Sequence, residues 1–274
     1  MSFTLMTISV RELAGGIDPF EIMFFRSGGA LLFLAPFALS VGRTVWKTHR
    51  PALQIGRNVV HFLAQLGWIT GIILLPLSEA FAIEFTTPVW ATLIAALVLS
   101  ERLDRGRIVA VVFGFAGILV ILRLGAEGIS PGAFAILGAA VGFAITLAVT
   151  KVLTKTDSPL TILLYMSLVQ LPIGVVLAAP VWVTPNLLQL FWLLLIGAVG
   201  LTAHYCTARA LQLVDATIVG PMDFMRLPLI VLVGFVLYNE TANLFVLLGA
   251  ALIFAGNYYS IHREHRLRVA ATVN

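Results

Sequence analysis

Apolar stretches long enough to cross a lipid bilayer follow one another along almost the entire sequence, separated by short connections that contain Pro, Gly, Asp or Asn. A membrane-spanning helix needs about 20 mostly apolar residues. Leu, Ala, Val and Gly run continuously, without the alternation typical of a transmembrane strand. We therefore predict an all-α integral membrane protein with ten transmembrane helices. The predicted helices are residues 1–14, 20–41, 51–75, 79–99, 106–123, 131–151, 159–182, 187–210, 216–238 and 243–261.

The composition excludes several other classes of protein. Sixty per cent of the residues are apolar and 11% are charged, whereas a soluble domain has about 25% charged residues. A water-soluble single core and a disordered chain are therefore excluded. Cys206 is the only cysteine, which excludes an internal disulfide. The net charge of +4 does not indicate nucleic-acid binding, because no basic run is interleaved with aromatic residues.

The first segment is shorter than the others. A helix over residues 1–14 would reach about 21 Å, against a hydrocarbon thickness of about 30 Å. Arg11 and Glu12 shorten its apolar part further, and it lacks the basic start of a signal peptide. We therefore expect this first helix to be truncated, with the true N-terminus upstream of Met1.

Lysine and arginine positions predict the orientation of the chain, because cytoplasmic loops are enriched in both. With a cytoplasmic N-terminus and ten helices, the outside segments hold only Arg11 and Arg123, and Arg26 and Arg226 fall inside spans. We therefore expect both termini in the cytoplasm and Glu127 outside. The inside segments hold Arg43, Lys47, Arg50, Arg57, Arg102, Arg105, Arg107, Lys151, Lys155, Arg209, Arg263, Arg266 and Arg268.

The two halves of the sequence match at a nearly constant offset. Because each half contains five predicted helices, the second half enters the membrane with opposite polarity, which gives an inverted-topology repeat. Such repeats place a substrate site near the membrane midplane, between the halves. The matches at an offset of 139 residues are Ile83-Glu84-Phe85 with Met222-Asp223-Phe224, Glu101 with Glu240, and Gly117 with Gly256; those at 140 are Pro19 with Pro159, Phe25 with Tyr165, Ser27 with Ser167, and Pro88 with Pro228.

Five segments carry a resemblance to a known family. They are residues 19–26, 77–83, 96–102, 216–224 and 249–257. Together they resemble the drug/metabolite transporter superfamily in its EamA-domain branch. The resemblance implies two inverted EamA repeats of five helices, at 1–123 and 124–261, followed by a cytoplasmic basic tail at 262–274. The short first helix departs from this pattern.

The resemblance also implies a function. It implies a permease of the inner membrane that moves a small organic metabolite by alternating access, without catalysis, cofactor or metal. The family carries amino acids, vitamins such as riboflavin, S-adenosylmethionine and amines, so the resemblance does not select a substrate. The absence of a Walker loop from the sequence agrees with transport without ATP, and coupling to a proton or ion gradient is left open. Formation of a homodimer is left open.

Glu84 and Asp223 are acidic residues at matching positions of the two halves, within predicted spans. Ionisable residues inside a membrane are functional candidates by default. One hypothesis is that both carboxylates face a central cavity, where they bind a cationic group or exchange protons. The alternative is structural pairing, for example of Asp223 with Arg226 one turn further on.

Arg26 and Arg226 are the corresponding basic candidates, and three roles are open for Arg26. Its side chain can extend outward toward Asp18 or Glu21, pair with a buried carboxylate, or hold an anionic group of the substrate. Arg226 has the same alternatives. We treat both arginines as charge partners of the cavity residues.

Polar residues on the third predicted helix follow a spacing of 3, 4 and 3 residues, which places them on one face. Such a stripe faces the helix bundle or a polar path rather than lipid, although interhelical hydrogen bonding is the alternative. His204 lies in the matching part of the eighth helix. The residues of the stripe are Asn58, His61, Gln65 and Trp68. The predicted cavity residues are His61, Gln65, Trp68, Glu84, His204 and Asp223.

Two other classes of function compete with transport. An intramembrane enzyme could use Glu84 and Asp223 as an acidic pair. Against it, the sequence lacks Gly-x-Gly-Asp, the zinc motif His-Glu-x-x-His and the nucleophile motif Gly-x-Ser-x-Gly. A channel or a purely structural membrane protein is the second competitor.

Overall fold

The computed structural model describes residues 1–98, 105–122, 130–213, 226–241 and 243–273, and within these ranges the regular structure is entirely helical. Short 3-10 helices at Arg43–Trp46 and Ala179–Val181 supplement the α-helices. The α-helices in chain order are α1 Ser2–Leu13, α2 Pro19–Val41, α3 Pro51–Leu74, α4 Leu77–Glu84, α5 Thr87–Val98, α6 Arg105–Leu122, α7 Pro131–Leu153, α8 Pro159–Ala178, α9 Leu187–Leu213, α10 Leu227–Tyr238 and α11 Leu244–Val273.

Several helices begin at a proline, a residue whose fixed φ suits the first helical turn and whose missing N–H is not needed there. The residue before the proline often caps the helix. The side chain of Asp18 accepts a hydrogen bond from the Phe20 N–H at 2.9 Å, and that of Ser158 accepts one from the Thr161 N–H at 3.1 Å. These local signals explain why the helix starts in the structure agree closely with the sequence-based prediction.

The fourth predicted helix, residues 79–99, is interrupted in the structure. Helix α4 ends at Glu84 and α5 begins at Thr87. Pro88 explains the interruption, because a proline cannot donate to the carbonyl four residues earlier, here that of Glu84, and its ring clashes with that carbonyl. The Thr87 hydroxyl donates to the Glu84 carbonyl instead, at 2.6 Å. The prediction of one continuous helix was therefore wrong at this point.

The C-terminal helix also differs from the prediction. We predicted a helix that ends at residue 261 and a separate basic tail at 262–274, whereas α11 continues to Val273. The continuation contains neither glycine nor proline, and its Arg, Leu, Ala and Glu residues favour helix. The tail is thus an extension of α11.

The helices of the two halves interleave. The first helix of each half packs against the third helix of the other half: α1 packs on α9, and α3 packs on α7. The second helices, α2 and α8, pack on each other, and so do α6 and α11. This pattern is what a two-fold relation between the halves requires.

The same relation is visible in single contacts. Arg11 on α1 donates through Nη1 to the carbonyl of Ile72 at 2.6 Å, and Lys151 on α7 donates through Nζ to the carbonyl of Leu211 at 2.7 Å. Lys151 follows Arg11 by 140 residues, and Leu211 follows Ile72 by 139. Matching residues of the two halves therefore make matching interhelical hydrogen bonds, which supports the inverted repeat independently of sequence identity.

Exposed and buried residues are distributed as expected for a protein in lipid. On α3, Ile55, Val59 and Leu63 are 51%, 39% and 61% exposed, whereas polar Asn58 and His61 on the same helix are buried. Six described helical segments are long and apolar enough to cross a membrane: Pro19–Val41, Arg105–Leu122, Pro131–Leu153, Pro159–Val181, Leu187–Leu213 and Leu244–Arg263. The total of ten stays a prediction, because residues 214–225 lie outside the described ranges.

Helices α6 and α11 approach each other closely at Gly117 and Gly249. A Cβ atom on Gly117 would lie 2.6 Å from the Gly249 carbonyl oxygen, and a Cβ on Gly249 would lie 2.6 Å from the Gly117 carbonyl oxygen. The structure places these two in packing within one chain.

Candidate functional site

The polar stripe of α3 lies in the centre of the bundle. Asn58, His61, Gln65 and Trp68 are at most 2% exposed. All four share one face of the helix because of their spacing, and the other face carries the exposed apolar residues described above. The stripe therefore faces other helices of the protein and not lipid.

Glu84 contacts one residue from each half of the chain. The Trp68 indole donates through Nε1 to Glu84 Oε2 at 2.8 Å, and the Arg226 guanidinium donates through Nη2 to Glu84 Oε1 at 2.5 Å. The guanidinium also lies 5.0 Å from the ring centroids of both Phe3 and Phe81. We name Trp68, Glu84 and Arg226 the Glu84 cluster. Asp223, the other acidic candidate, lies outside the described residues.

The position of Glu84 makes its partners important. Its carboxylate sits at the C-terminal end of α4, where the helix dipole is unfavourable for a negative charge. Arg226 offsets this effect. Among the described residues, Arg226 is a charge partner of Glu84, 142 residues further along the chain.

Arg26 is buried at 2% exposure and donates through Nη2 to the side-chain oxygen of Gln170 on α8. The outward extension toward Asp18 or Glu21 is therefore wrong. Asp18 caps its own helix, and Glu21 accepts a hydrogen bond from the Val183 N–H at 3.1 Å. The side chain of Arg26 instead extends into the bundle, where it bonds to the amide of Gln170.

Gln170 connects three helices and was missed in the sequence analysis. Besides accepting from Arg26, it lies 2.9 Å through Nε2 from His61 Nδ1 and donates to the Asn58 carbonyl at 3.1 Å. The sequence offered one signal: Gln170 is the only amide residue within the largely apolar helix α8. It has no polar counterpart in the first half, since the offset of 140 residues leads to Ala30.

His204 on α9, in the second half, lies beside His61 of α3. Its ring centroid lies 4.8 Å from that of His61 in an edge-to-face arrangement, and 5.8 Å from that of Phe3. The structure therefore brings together two predicted cavity residues from equivalent helices. Gln65 lies one turn beyond His61 on α3.

Arg57 requires a correction. We had counted it among the basic residues of the cytoplasmic loops, but it lies within α3 and is 6% exposed. Its Nε donates to the Thr150 hydroxyl at 3.1 Å, and its Nη1 donates to Asn58 Oδ1 at 2.7 Å. It is thus a second arginine inside the bundle. The predicted orientation rests on the remaining basic residues.

These residues form what we name the central basic cluster: Arg26, Arg57, His61, Gln170 and His204. Gln170 bonds to Arg26, to His61 and to the Asn58 carbonyl, Arg57 bonds to the Asn58 side chain, and His204 contacts His61, which connects the five residues. Among the residues that the structure describes, no carboxylate contacts any member. Several buried nitrogen atoms in and beside it have no described protein partner: Arg26 Nε, Asn58 Nδ2, Gln65 Nε2, His61 Nε2 and His204 Nε2.

Glu240 joins the two halves near one end of α3. It forms an ion pair with Arg11, and its Oε2 accepts a hydrogen bond from the Leu77 N–H at 2.6 Å. Beside it, the Tyr238 hydroxyl donates to Glu12 at 3.0 Å. Glu240 is therefore the centre of a polar contact between the halves, which we name the Glu240 contact.

Asp157 joins the halves at the other end of α3. Its carboxylate accepts hydrogen bonds from Gln54 Nε2 at 2.9 Å, from the His49 N–H at 3.3 Å and from the Thr48 hydroxyl. Burial raises the pKa of this carboxyl, but these hydrogen bonds outweigh it and lower the pKa below its usual value. We name these residues the Asp157 contact.

The fold and its centre define a class: a multi-pass membrane protein with two interleaved halves and a buried polar centre between them. The profile of the EamA-like transporter family matches residues 1–123 and 130–261. The chain belongs to this family, which lies in the drug/metabolite transporter superfamily, and the predicted resemblance is confirmed.

Curated relatives are named for two kinds of cargo. The chain is 28% identical over 256 residues to a protein of Rickettsia bellii named S-adenosylmethionine uptake transporter, covering 93% of this chain and 88% of the relative. It is 32% identical over 245 residues to a Rhizobium johnstonii protein and 33% over 246 residues to a Vibrio cholerae protein, both named riboflavin transporter. The first alignment covers 89% of this chain, the second covers 87%, and each covers 81% of the relative.

A solved crystal structure shares the fold. Its TM-score is 0.69 at 18% sequence identity, and the match covers 97% of this chain and 96% of the other. At this identity the similarity concerns the architecture alone.

Proposed function

We propose that this protein is a secondary transporter that moves a small organic metabolite across the inner membrane by alternating access, with both termini in the cytoplasm. Its family and the names of its relatives support transport of a small metabolite. The observation that carries the mechanism is the buried polar centre, flanked at either end by a polar contact between the halves.

The substrate site in this proposal lies along the buried face of α3. That face presents His61, Gln65 and Trp68, and the two halves meet there through the His61–His204 contact and the Glu84–Arg226 ion pair. Asp223 belongs to the proposed site by its repeat relation to Glu84. Few polar groups among apolar and aromatic walls are typical of small-molecule sites.

The two contacts between the halves supply the alternation. Ile72 beside the Glu240 contact and Gln54 in the Asp157 contact are 18 residues apart on α3, or about 27 Å along its axis. Each contact joins residues of one half to residues of the other. Opening one while the other stays closed would expose the centre to one side of the membrane at a time, by rocking of the halves.

Counterflow in proteoliposomes tests this proposal. Vesicles that contain the purified protein and are loaded with unlabelled S-adenosylmethionine or riboflavin should accumulate the labelled compound transiently, with a saturable rate and without ATP. Collapse of the proton or ion gradient then shows whether the transport is coupled. Flux that rises linearly with concentration would identify a channel, and strict ATP dependence would contradict the proposal.

A further inference from the structure

We propose that the central basic cluster binds an oxyanion group of the transported molecule, a carboxylate or phosphate, with the Arg26 guanidinium as its main ligand. This inference rests on the proposed function and specifies the chemical class of the substrate. Neither the family nor the names of the relatives assign an anion site to these residues.

The first argument is charge. Arg26 and Arg57 are both buried among apolar helices, and no carboxylate in the described parts of the chain contacts either of them. Charged groups inside a membrane are costly unless they are paired, and they mark substrate or ion pathways. Hydrogen bonds through Gln170 and Asn58 link the two guanidinium groups, and an anion beside them would offset their positive charge.

The second argument is the donors. Arginine presents its N–H groups in a planar fork that fits a carboxylate or a phosphate with two parallel hydrogen bonds. Gln170 engages one Nη of Arg26 and leaves its Nε without a described partner. The Nε2 atoms of His61 and His204 are also buried without one. The arginine N–H donors, with ring nitrogens from two further helices beside them and no carboxylate among the described contacts, suit an anion and not a cation.

The third argument is position. Gln170 holds Arg26 of the first half and His61 of the first half against α8 of the second half. An anion bound there contacts both halves, so that its binding affects their relative position. The Glu84 cluster begins at Trp68, about 10 Å from His61 along α3. A metabolite with an anionic group at one end and a cationic or aromatic group at the other fits this spacing.

The two kinds of cargo named for the relatives differ in this chemistry. S-adenosylmethionine carries a carboxylate, whereas riboflavin carries no anionic group at neutral pH and gains one only in its phosphate ester. The proposal therefore favours S-adenosylmethionine or a similar carboxylate over riboflavin. It also favours riboflavin phosphate over riboflavin.

Binding to the purified full-length protein in detergent tests the proposal with matched ligand pairs. The pairs are S-adenosylmethionine with its decarboxylated form and riboflavin phosphate with riboflavin. The anionic member of at least one pair should bind more tightly, and Arg26→Gln should remove that preference, with a loss of roughly 10- to 100-fold for the anionic member alone. Arg209→Gln, which removes an exposed arginine on α9, should leave the preference intact.

Inorganic phosphate serves as a probe that does not depend on the cargo. At millimolar concentration it should raise the melting temperature of the wild type and of Arg209→Gln, relative to chloride at equal ionic strength, but not that of Arg26→Gln. Arg26→Lys keeps the charge without the fork and should give an intermediate response. If Arg26→Gln fails to fold, the phosphate-dependent rise in melting temperature is compared between the wild type and Arg26→Lys. A smaller rise in Arg26→Lys supports the anion site, and an equal rise contradicts it.

The outcomes separate this inference from the proposed function. Phosphate stabilisation that depends on Arg26, without transport of any tested compound, would support the anion site and contradict the transport proposal for those compounds. Saturable transport of riboflavin, with no anion preference in either pair and no phosphate effect, would overturn the anion site and leave the transporter intact. An equal loss of binding affinity for both members of a pair in Arg26→Gln would also overturn the anion site.

Discussion

Glu84 and Arg226 form an ion pair between the two halves at the place where the fourth predicted helix is interrupted. Pro88 and Pro228, related by the repeat, stand at equivalent places: each is the second residue of the helix that follows, α5 and α10. The proline that breaks the helix and the acid that ends it therefore occur together. The interruption brings a helix end, a carboxylate and a residue of the other half to one point.

The first prediction concerns this ion pair. Replacement Glu84→Gln removes the carboxylate that pairs with Arg226 across the two halves, and removing one partner of a buried ion pair costs about 3–5 kcal/mol. We expect a clear drop in melting temperature in detergent. The double variant Glu84→Gln/Arg226→Met, which removes both charges, should recover much of the loss. Trp68→Phe serves as a control that removes only the hydrogen bond to Glu84.

The same variants separate a structural role from a substrate role. If Glu84→Gln expresses and melts normally but transports less, or with a shifted pH dependence, the carboxylate acts on the substrate or on protons. The single variant Arg226→Met completes the cycle, and a loss in the double variant equal to the sum of the losses in Glu84→Gln and Arg226→Met would contradict coupling between the two residues.

Much of this architecture could be predicted from the sequence because hydrophobic length and helix-start signals are local. Proline and serine or aspartate caps place helix starts such as Pro159 within a residue. The interruption at Glu84 could also have been predicted, because Pro88 occurs inside an apolar segment. The length of that segment favoured a continuous membrane span instead. The hydrogen bond between Arg26 and Gln170 could not be predicted from the sequence, because it depends on how the helices of the two halves pack against each other.

The second prediction concerns orientation. In a variant with Cys206→Ser, a cysteine introduced by Glu127→Cys should react with a membrane-impermeant thiol reagent in intact spheroplasts. A cysteine introduced by Lys155→Cys should react only after the membrane is opened. The reason is the excess of Lys and Arg in the segments assigned to the cytoplasm. Labelling at 155 and not at 127 in intact spheroplasts would invert the topology.

The third prediction compares one substitution at two glycines. Gly117→Ala places a Cβ 2.5 Å from Ile253 Cγ1 and 2.6 Å from the Gly249 carbonyl oxygen, so that α6 and α11 must separate. Gly138→Ala on α7 meets nothing within 4 Å and gains helix propensity of up to about 1 kcal/mol. We expect the first to lower the melting temperature and the second to leave it unchanged or raise it. Equal effects would contradict the close α6–α11 approach.

The fourth prediction follows from the lowered pKa of Asp157. A carboxyl whose pKa is lower in the folded protein than in the unfolded chain stabilises the fold above its unfolded pKa of about 3.9. That contribution is lost as the pH falls through the folded pKa. Wild type should therefore be more stable than Asp157→Asn at neutral pH, and the difference should shrink below about pH 4. If the difference in stability between the wild type and Asp157→Asn is constant between pH 7 and pH 3, this prediction is wrong.

The fifth prediction concerns alternation between the two contacts that join the halves. Glu240→Gln removes the partner of Arg11, and Asp157→Asn weakens the bonds from Thr48 and Gln54. Because each contact lies at its own end of α3, the first change should favour opening toward the outside and the second toward the cytoplasm. With Cys206→Ser and Gln65→Cys as background, Glu240→Gln should speed labelling from the outer face only, and Asp157→Asn from the inner face only. Equal acceleration from both faces would indicate general loosening and contradict alternating access.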